Sequence, residues 1–237
     1  NRPVLLIVGC GDVGLRVLRL LRGRWRVLAL TSSPQRVATL REAGAVPLVG
    51  NLDEPATLAR LAGLATHVLH LAPPPGSGDA DPRTARLLQA LARRSGPRSF
   101  VYASTTGVYG DCGGAWIDET RAVAPATARG RRRVDAERRV RWAGRGFGWR
   151  ISLLRVPGIY ALDREGGDPR ERVRRGTPVL RAEDDVYTNH IHADDLARAC
   201  VAALLRGAPQ RAYHANNDTE LPMGDYCDAV ANRFGLA

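Results

Sequence analysis

Short apolar runs recur along the first two thirds of the chain, at Val4–Val8, Arg26–Thr31, Val46–Val49, His67–Leu71, Ser99–Ser104 and Arg150–Val156. Between them lie segments whose apolar positions return every three or four residues, the period of a half-buried helix. They predict helices over Val13–Leu21, Gln35–Ala43, Glu54–Leu61, Thr84–Arg93 and Arg131–Ala143. Strands alternating with helices in this way describe a parallel sheet covered on both faces. Two long irregular stretches, Pro73–Pro82 and Tyr109–Arg129, follow predicted strands, and open α/β sheets bind ligands at those carboxyl ends. Beyond Val156 the alternation loosens through Pro157–Asp185, then gives a helix at Asp194–Leu205, a short strand at Arg211–Ala215 and a last helix at Met223–Phe234. The expected organisation is one compact unit: a core over residues 1–156, and residues 157–237 as a small cap mixed with elements that complete the core. The chain stops directly after its last predicted helix, which leaves open a further C-terminal segment. No internal repeat or low-complexity linker interrupts it.

The first apolar run leads straight into Gly9-Cys10-Gly11-Asp12-Val13-Gly14 and then into a helical pattern. A Gly-x-Gly-x-x-Gly on its own is weak evidence; between a strand and a helix it is the phosphate-binding turn of a dinucleotide site. Gly9 serves the tight turn, Gly11 lets bare backbone approach a pyrophosphate, and Gly14 lets the helix pack closely on its strand. The helix then aims its unpaired N–H groups and positive dipole end at the phosphates. The expected fold is therefore α/β: a Rossmann-like, doubly wound parallel sheet with a small C-terminal cap on the substrate side.

An NAD site places an acidic residue about 20 positions past the glycines to hold the ribose 2′-hydroxyl. Here that place holds Thr31-Ser32-Ser33, with Arg36 shortly after. An acid would repel a 2′-phosphate, whereas hydroxyls and an arginine fork accept one. NADP is therefore preferred over NAD. The alternative is that Ser32 and Ser33 cap the helix and Arg36 is solvated.

The formal charge is +11, and every basic residue is arginine, since the chain has no lysine. That charge invites a nucleic-acid reading, but the arginines are scattered along predicted helices with no aromatic-interleaved stripe or known binding module. A solvated basic surface is favoured. Cys10, Cys112, Cys200 and Cys227 are far apart, so neither a metal site nor a disulfide framework is expected, and reduced thiols imply the cytoplasm. The longest uncharged stretch, Leu61 to Gly78, contains Pro73-Pro74-Pro75 and is no membrane span. No signal-peptide pattern opens the chain.

Further motifs resemble the extended and atypical short-chain dehydrogenases/reductases, the superfamily of sugar-nucleotide epimerases and dehydratases. Gly50-Asn51-Leu52-Asp53 resembles the Gly-Asp-Leu segment that meets the adenine, with Asn51 in place of aspartate and Leu52 beside it. Asparagine still bonds an adenine amine. Leu71-Ala72-Pro73 sits where the family has its fourth-strand segment beside the cofactor. Phe100 to Asp111, reading Phe-Val-Tyr-Ala-Ser-Thr-Thr-Gly-Val-Tyr-Gly-Asp, resembles the fifth-strand signature, whose hydroxyl residue near Thr105 holds a substrate oxygen. A slip of one position would give that role to Ser104. Trp116-Ile117-Asp118-Glu119-Thr120, Leu154-Arg155-Val156-Pro157-Gly158-Ile159-Tyr160 and Asn189 to Leu196 continue the match in order, with Pro157 expected beside the cofactor. The resemblance covers nearly the whole chain.

Family members carry Tyr-x-x-x-Lys on the helix after the long loop, followed by a pair like Ala136-Glu137. Counting back puts Arg129 at the tyrosine position and Arg133 at the lysine position. The tyrosine transfers the proton, and the lysine lowers its pKa and binds the nicotinamide ribose. Arg133 can imitate the ribose contact, but Arg129 cannot replace a phenol, because guanidinium stays protonated. Tyr109, Tyr102, His192 and Asp118 are possible substitutes, each with a structural reading: Tyr109 packed under its loop, His192 with Asp194 anchoring the tail helix. The resemblance implies an NAD(P)-dependent oxidoreductase or epimerase-like enzyme in which Thr105 (or Ser104), Arg129 and Arg133 act on a small, anionic or sugar-nucleotide substrate. The alternative is a non-catalytic NADP(H)-binding sensor. No nucleic-acid or membrane partner is expected, and the superfamily's habit of pairing through helices beside the active site makes a homodimer possible.

Overall fold

The computed structural model describes residues 2–236. The first run forms β1 (Val4–Val8), and its side chains divide between the two faces of the sheet: Leu5 and Ile7 toward one core, Leu6 and Val8 toward the other, all buried. That two-sided burial is why the strand reads as a continuous apolar run. Helix α1 (Asp12–Leu21) follows, then β2 (Arg26–Thr31), a 3₁₀ turn at Pro34–Arg36, α2 (Val37–Glu42), β3 (Val46–Val49), a 3₁₀ segment at Pro55–Leu61 and β4 (His67–His70). The chain continues through α3 (Pro82–Ala92), β5 (Ser99–Thr105), α4 (Ala128–Phe147) and β6 (Arg150–Val156). Seven strands pair in parallel in the order β3-β2-β1-β4-β5-β6-β9, where β9 is Arg211–His214. Strand order reverses between β1 and β4, in register from Leu5 opposite His67 to Val8 opposite His70. A crevice opens beyond their carboxyl ends at such a reversal.

Two cores flank the sheet. On one face α1 and α6 (Ala193–Arg206) cover Leu5, Ile7, Leu69, Val101 and Leu154; on the other α3 and α4 cover Leu6, Val8, Phe100, Tyr102 and Leu153. Each such side chain contributes roughly 1.5–3 kcal/mol when fully buried, so the doubly wound sheet is a rigid support for the loops at its edge.

The described residues beyond Val156 add further elements to this sheet and beside it. They supply α6, packed against α1, and edge strand β9, together with a two-stranded parallel ladder of β7 (Gly158–Tyr160) and β8 (His190–His192). Helix α5 (Pro169–Arg174) packs on α7 (Met223–Phe234), with the Arg170 guanidinium 5.2 Å from the Phe234 ring. Neither β7, β8 nor α5 is predicted by the apolar periodicity. The helix expected at Glu54–Leu61 is a 3₁₀ segment, the one expected at Gln35–Ala43 divides into a 3₁₀ turn and α2, and the one expected at Arg131–Ala143 runs from Ala128 to Phe147. Thr127 explains the earlier start of α4, since its side chain accepts from the Gly130 amide at 3.0 Å, an N-cap. Gly148, in the left-handed region at φ 70°, ends it.

Candidate functional site

Where β1 meets α1, the Val8 carbonyl accepts from the Leu71 and Ala72 amides at 2.8 and 2.9 Å, drawing the exit of β4 against the glycine turn. Gly9 lies at φ +84°, and a Cβ there would stand 2.5 Å from the Ala72 nitrogen. Only glycine fits. A Cβ on Gly11 would meet nothing within 4 Å, whereas one on Gly14 would stand 3.0 Å from Cys10 Sγ. One glycine thus faces open space and the other faces the strand. Gly11 is the N-cap of α1 and gives no side-chain cap, so the first-turn amides at Asp12, Val13 and Gly14 have no intrahelical acceptor. Cys10 is buried beneath the turn; burial pushes its thiol up to about 11, against the opposing pull of Arg36.

Arg36 reaches this turn from the end of β2, donating through Nη2 to the Cys10 carbonyl at 2.8 Å. Thr31 Oγ1 accepts from the Ser33 amide at 3.2 Å, and Ser32 is exposed. Ser33 holds the N-cap position of the 3₁₀ turn, but its hydroxyl donates to Gln35 Oε1 at 2.8 Å and caps no amide. Helix capping is therefore not what these serines do. Beyond β3, the Asn51 side chain closes its own turn, accepting from the Asp53 amide at 3.0 Å and donating to Glu54 Oε1 at 2.8 Å. Leu52 is buried beside it. Asp53 pairs with Arg83 at 2.6 Å, and Arg83 in turn donates to the carbonyls of Pro73 and Pro74.

The opposite wall is built by β5 and α4. Gly130 lets the start of α4 approach the turn after β5, where a Cβ would stand 2.8 Å from the Gly107 carbonyl. This contact sets Arg129 and Arg133, one helical turn apart, beside Ser104 and Thr105. Together with Gly9, Gly11, Asp12, Val13, Gly14, Leu71 and Pro157 they line one cleft. Thr105 Oγ1 accepts from the Gly107 amide at 3.2 Å, which leaves its hydroxyl proton free to point elsewhere. Ser104 is buried and donates to Glu137 Oε1 at 2.6 Å. Arg133 is buried, donating through Nη1 to the Tyr102 hydroxyl at 3.0 Å and the Ala103 carbonyl at 2.7 Å, while its buried Nε has no partner among the described residues. Arg129 is exposed at the mouth. Cys10, Thr31, Ser32, Arg36, Asn51, Leu52, Ala72 and Pro73 lie behind or beside the cleft and are not part of its wall.

A model described as the NAD dependent epimerase/dehydratase family matches residues 5–216. The chain belongs to that family. Among solved structures it is 29% identical to a functionally unknown conserved protein from Silicibacter pomeroyi, at TM-score 0.80, covering 99% of this chain and 79% of that one. UDP-N-acetylglucosamine 4-epimerase from Bacillus cereus matches at TM-score 0.80 and 19% identity, over 99% of this chain and 85% of that one. A dTDP-glucose 4,6-dehydratase from Streptomyces venezuelae, solved with NAD bound, matches at TM-score 0.80 and 20% identity, over 99% and 82%. These last two likenesses concern the fold. No curated protein matches the sequence significantly. Among the described residues, no helix is long and apolar enough to cross a membrane, and no group of three or more His, Cys, Asp or Glu side chains is placed to hold a metal.

Behind the cleft of this epimerase/dehydratase family member runs a buried polar chain that the periodicity does not reveal. Arg155 donates from Nη2 to Glu137 Oε2 at 2.9 Å and from Nη1 to the Tyr109 hydroxyl at 2.7 Å. That hydroxyl lies 2.6 Å from His214 Nε2. Burial raises the Tyr109 pKa against the pull of Arg155, and burial lowers that of His214. Tyr102 is pushed up to about 12, chiefly by burial. Neither phenol lines the cleft. His192 Nδ1 accepts from the Asp194 amide at 3.2 Å and caps α6. Ala103, Val156, Ile159, Arg164 and Leu196 also line the cleft without having been expected there; only Arg164 brings charge.

Proposed function

We propose that this protein is an NADP(H)-using oxidoreductase or epimerase of the sugar-nucleotide type, acting in the cytoplasm on a small anionic substrate. The residues present fit a dinucleotide: Gly9 admits the close approach of β4, Gly11 keeps the space before the helix clear, and the first-turn amides lack acceptors. A buried cation, Arg133, lines the same cleft. The first-turn amides carry the reading, because unpaired N–H groups at a helix N-terminus that opens on clear space are an anion site. The preference for the 2′-phosphorylated form rests on Arg36 against the glycine turn and on the absence of a carboxylate in Thr31-Ser32-Ser33. Four free cysteines suit a reducing compartment.

When bound, the nicotinamide supplies a hydride acceptor or donor for a carbinol or carbonyl carbon. Thr105 donates a hydrogen bond from its hydroxyl to the substrate oxygen, while the Gly107 amide holds the threonine in place. Arg133, fixed through Nη1, offers its guanidinium to the nicotinamide ribose. Arg129 holds positive charge at the mouth, where it stabilises a developing alkoxide and attracts an anionic substrate. With no phenol at that position, the transferred proton comes from water. A homodimer through α3 and α4 belongs to the same reading, with Trp142 and Phe147 exposed on α4. The arginine at the family's tyrosine position also favours a second reading, a binding protein that senses NADP(H) without turnover.

Incubation with NADPH and a panel of carbonyl compounds and sugar nucleotides, following cofactor absorbance and product together, separates them. Turnover or epimerised product is expected; tight cofactor binding with neither would establish the sensor. Combining Arg129→Tyr with Arg133→Lys is expected to raise reductase activity.

A further inference from the structure

Across the cleft from the fifth strand, the loop between β7 and α5 is fastened to the helix that opens the glycine turn. Asp163 pairs with Arg16 at 2.6 Å, and its neighbour Arg164 donates through Nη1 to Asp12 Oδ2 at 2.6 Å. Arg16 is buried and also holds Asp12 at 3.0 Å and Asp194 at 2.7 Å. The loop is itself closed: the Ala161 amide donates to the Gly167 carbonyl at 3.1 Å, and the Gly167 amide to the Arg164 carbonyl at 3.0 Å. A Cβ on Gly167 would stand 2.5 Å from Arg164 Cδ, so the glycine lets the Arg164 stem fold back toward α1.

Two features of this arrangement go beyond holding a loop. Three carboxylates, Asp12, Asp163 and Asp194, meet two guanidiniums, and Asp12 sits at the first position of the helix whose amides face the cleft. Its charge would repel a phosphate there unless a cation stood between them. Arg16 takes Asp12 Oδ1 and Arg164 takes Oδ2, and of the two only Arg164 lines the cleft. It lines the cleft with the glycine turn and spends only Nη1 on Asp12; its other N–H groups make no hydrogen bond among the described residues. A guanidinium carries five donors in a planar fork and can bridge two anions at once.

We infer that Arg164 is a pyrophosphate-binding residue of the dinucleotide site, held at its post by Asp12. This rests on the dinucleotide reading above and adds to it a contact delivered from the C-terminal part of the chain. Asp12 acts as a positioning residue, turning the fork so that its remaining donors face the helix amides. The residue recognises the diphosphate shared by NAD, NADP and ADP-ribose, and is indifferent to base, 2′-group and nicotinamide.

ADP-ribose and adenosine, which share a base and ribose but differ in the diphosphate, test this by titration against the unmutated protein and Arg164→Gln. Loss of about tenfold or more in ADP-ribose affinity is expected, the scale of a charge-assisted contact, with adenosine binding followed by NMR unchanged. Arg164→Lys, which keeps the charge and the pairing with Asp12, is expected to fall between, and it serves if the glutamine variant does not fold. Equal ADP-ribose affinity in wild type and variants, or parallel losses for both ligands, overturns the inference. If the unmutated protein binds neither ADP-ribose nor either dinucleotide, the dinucleotide reading itself fails, and this inference with it.

Discussion

At the scale of single residues, the glycine turn and its arginine neighbour separate what the backbone does from what charge does. Gly9 is dictated by a positive φ and by the Ala72 nitrogen beside it, and no ligand is needed to explain it. Arg36 is different. Its side chain makes one hydrogen bond, to the Cys10 carbonyl, and on the NADP reading the rest of the guanidinium meets the 2′-phosphate. Arg36→Ala is expected to weaken NADPH by about tenfold, since a charge-assisted contact contributes roughly 1.5–3 kcal/mol, and to leave NADH unchanged; paired titrations check it. Equal losses would remove the NADP preference. The glycine turn was legible in the sequence because strand, glycines and helix are contiguous. Arg164 was not, since it lies some 150 positions from the glycines and only the fold brings it to Asp12.

At the scale of elements, the buried chain from Ser104 through Glu137 and Arg155 to Tyr109 and His214 locks α4 to β5, β6 and β9. Glu137 and Arg155 have side chains only 5% and 6% exposed. Removing one partner leaves an unmatched buried charge, so Glu137→Ala is expected to destabilise by about 3–5 kcal/mol, measured by urea unfolding. Glu137→Gln, which retains a hydrogen-bonding group, is expected to lose less. The inner strands of the main sheet were readable because both their faces are buried. Elsewhere the signal failed for physical reasons. Pro157 has no N–H and separates β7 from the apolar run of β6, while β8 carries two histidines around a single buried Ile191. Helix α5, Pro-Arg-Glu-Arg-Val-Arg, has no apolar face, and α4 begins in Ala-Arg-Gly-Arg-Arg-Arg, where only the Thr127 cap marks its start.

At the scale of the whole molecule, acid sensitivity follows from buried histidine. His70 lies wholly inside the core, its Nε2 2.9 Å from Thr84 Oγ1, and burial, with Arg133 adding to it, depresses its pKa from 6.5 to about 3. The unfolded chain takes up a proton near pH 6.5 that the folded chain refuses. The stability this neutral group contributes is complete above pH 6.5 and is lost as pH falls toward 3, at about 1.4 kcal/mol per pH unit. A drop of about 2 kcal/mol between pH 7 and 5 is expected in urea unfolding, with a shallower slope in His70→Gln. His67, His190 and His214 are shifted in the same direction and steepen the fall. The shifted carboxylates Asp53, Asp163 and Asp194, lowered by their arginine partners, act only below their ordinary range. An unchanged unfolding midpoint across this interval would contradict the neutral, buried state of His70.

Everything functional depends on the cleft between β1, β4 and α4 receiving a dinucleotide. Calorimetric titration of the protein with NADP⁺ and NAD⁺, alongside Gly9→Ala, tests this most directly. Binding of one equivalent, tighter for NADP⁺ and lost in the glycine variant, is the expected result. No heat with either dinucleotide in the unmutated protein, or equal binding by the variant, would contradict it.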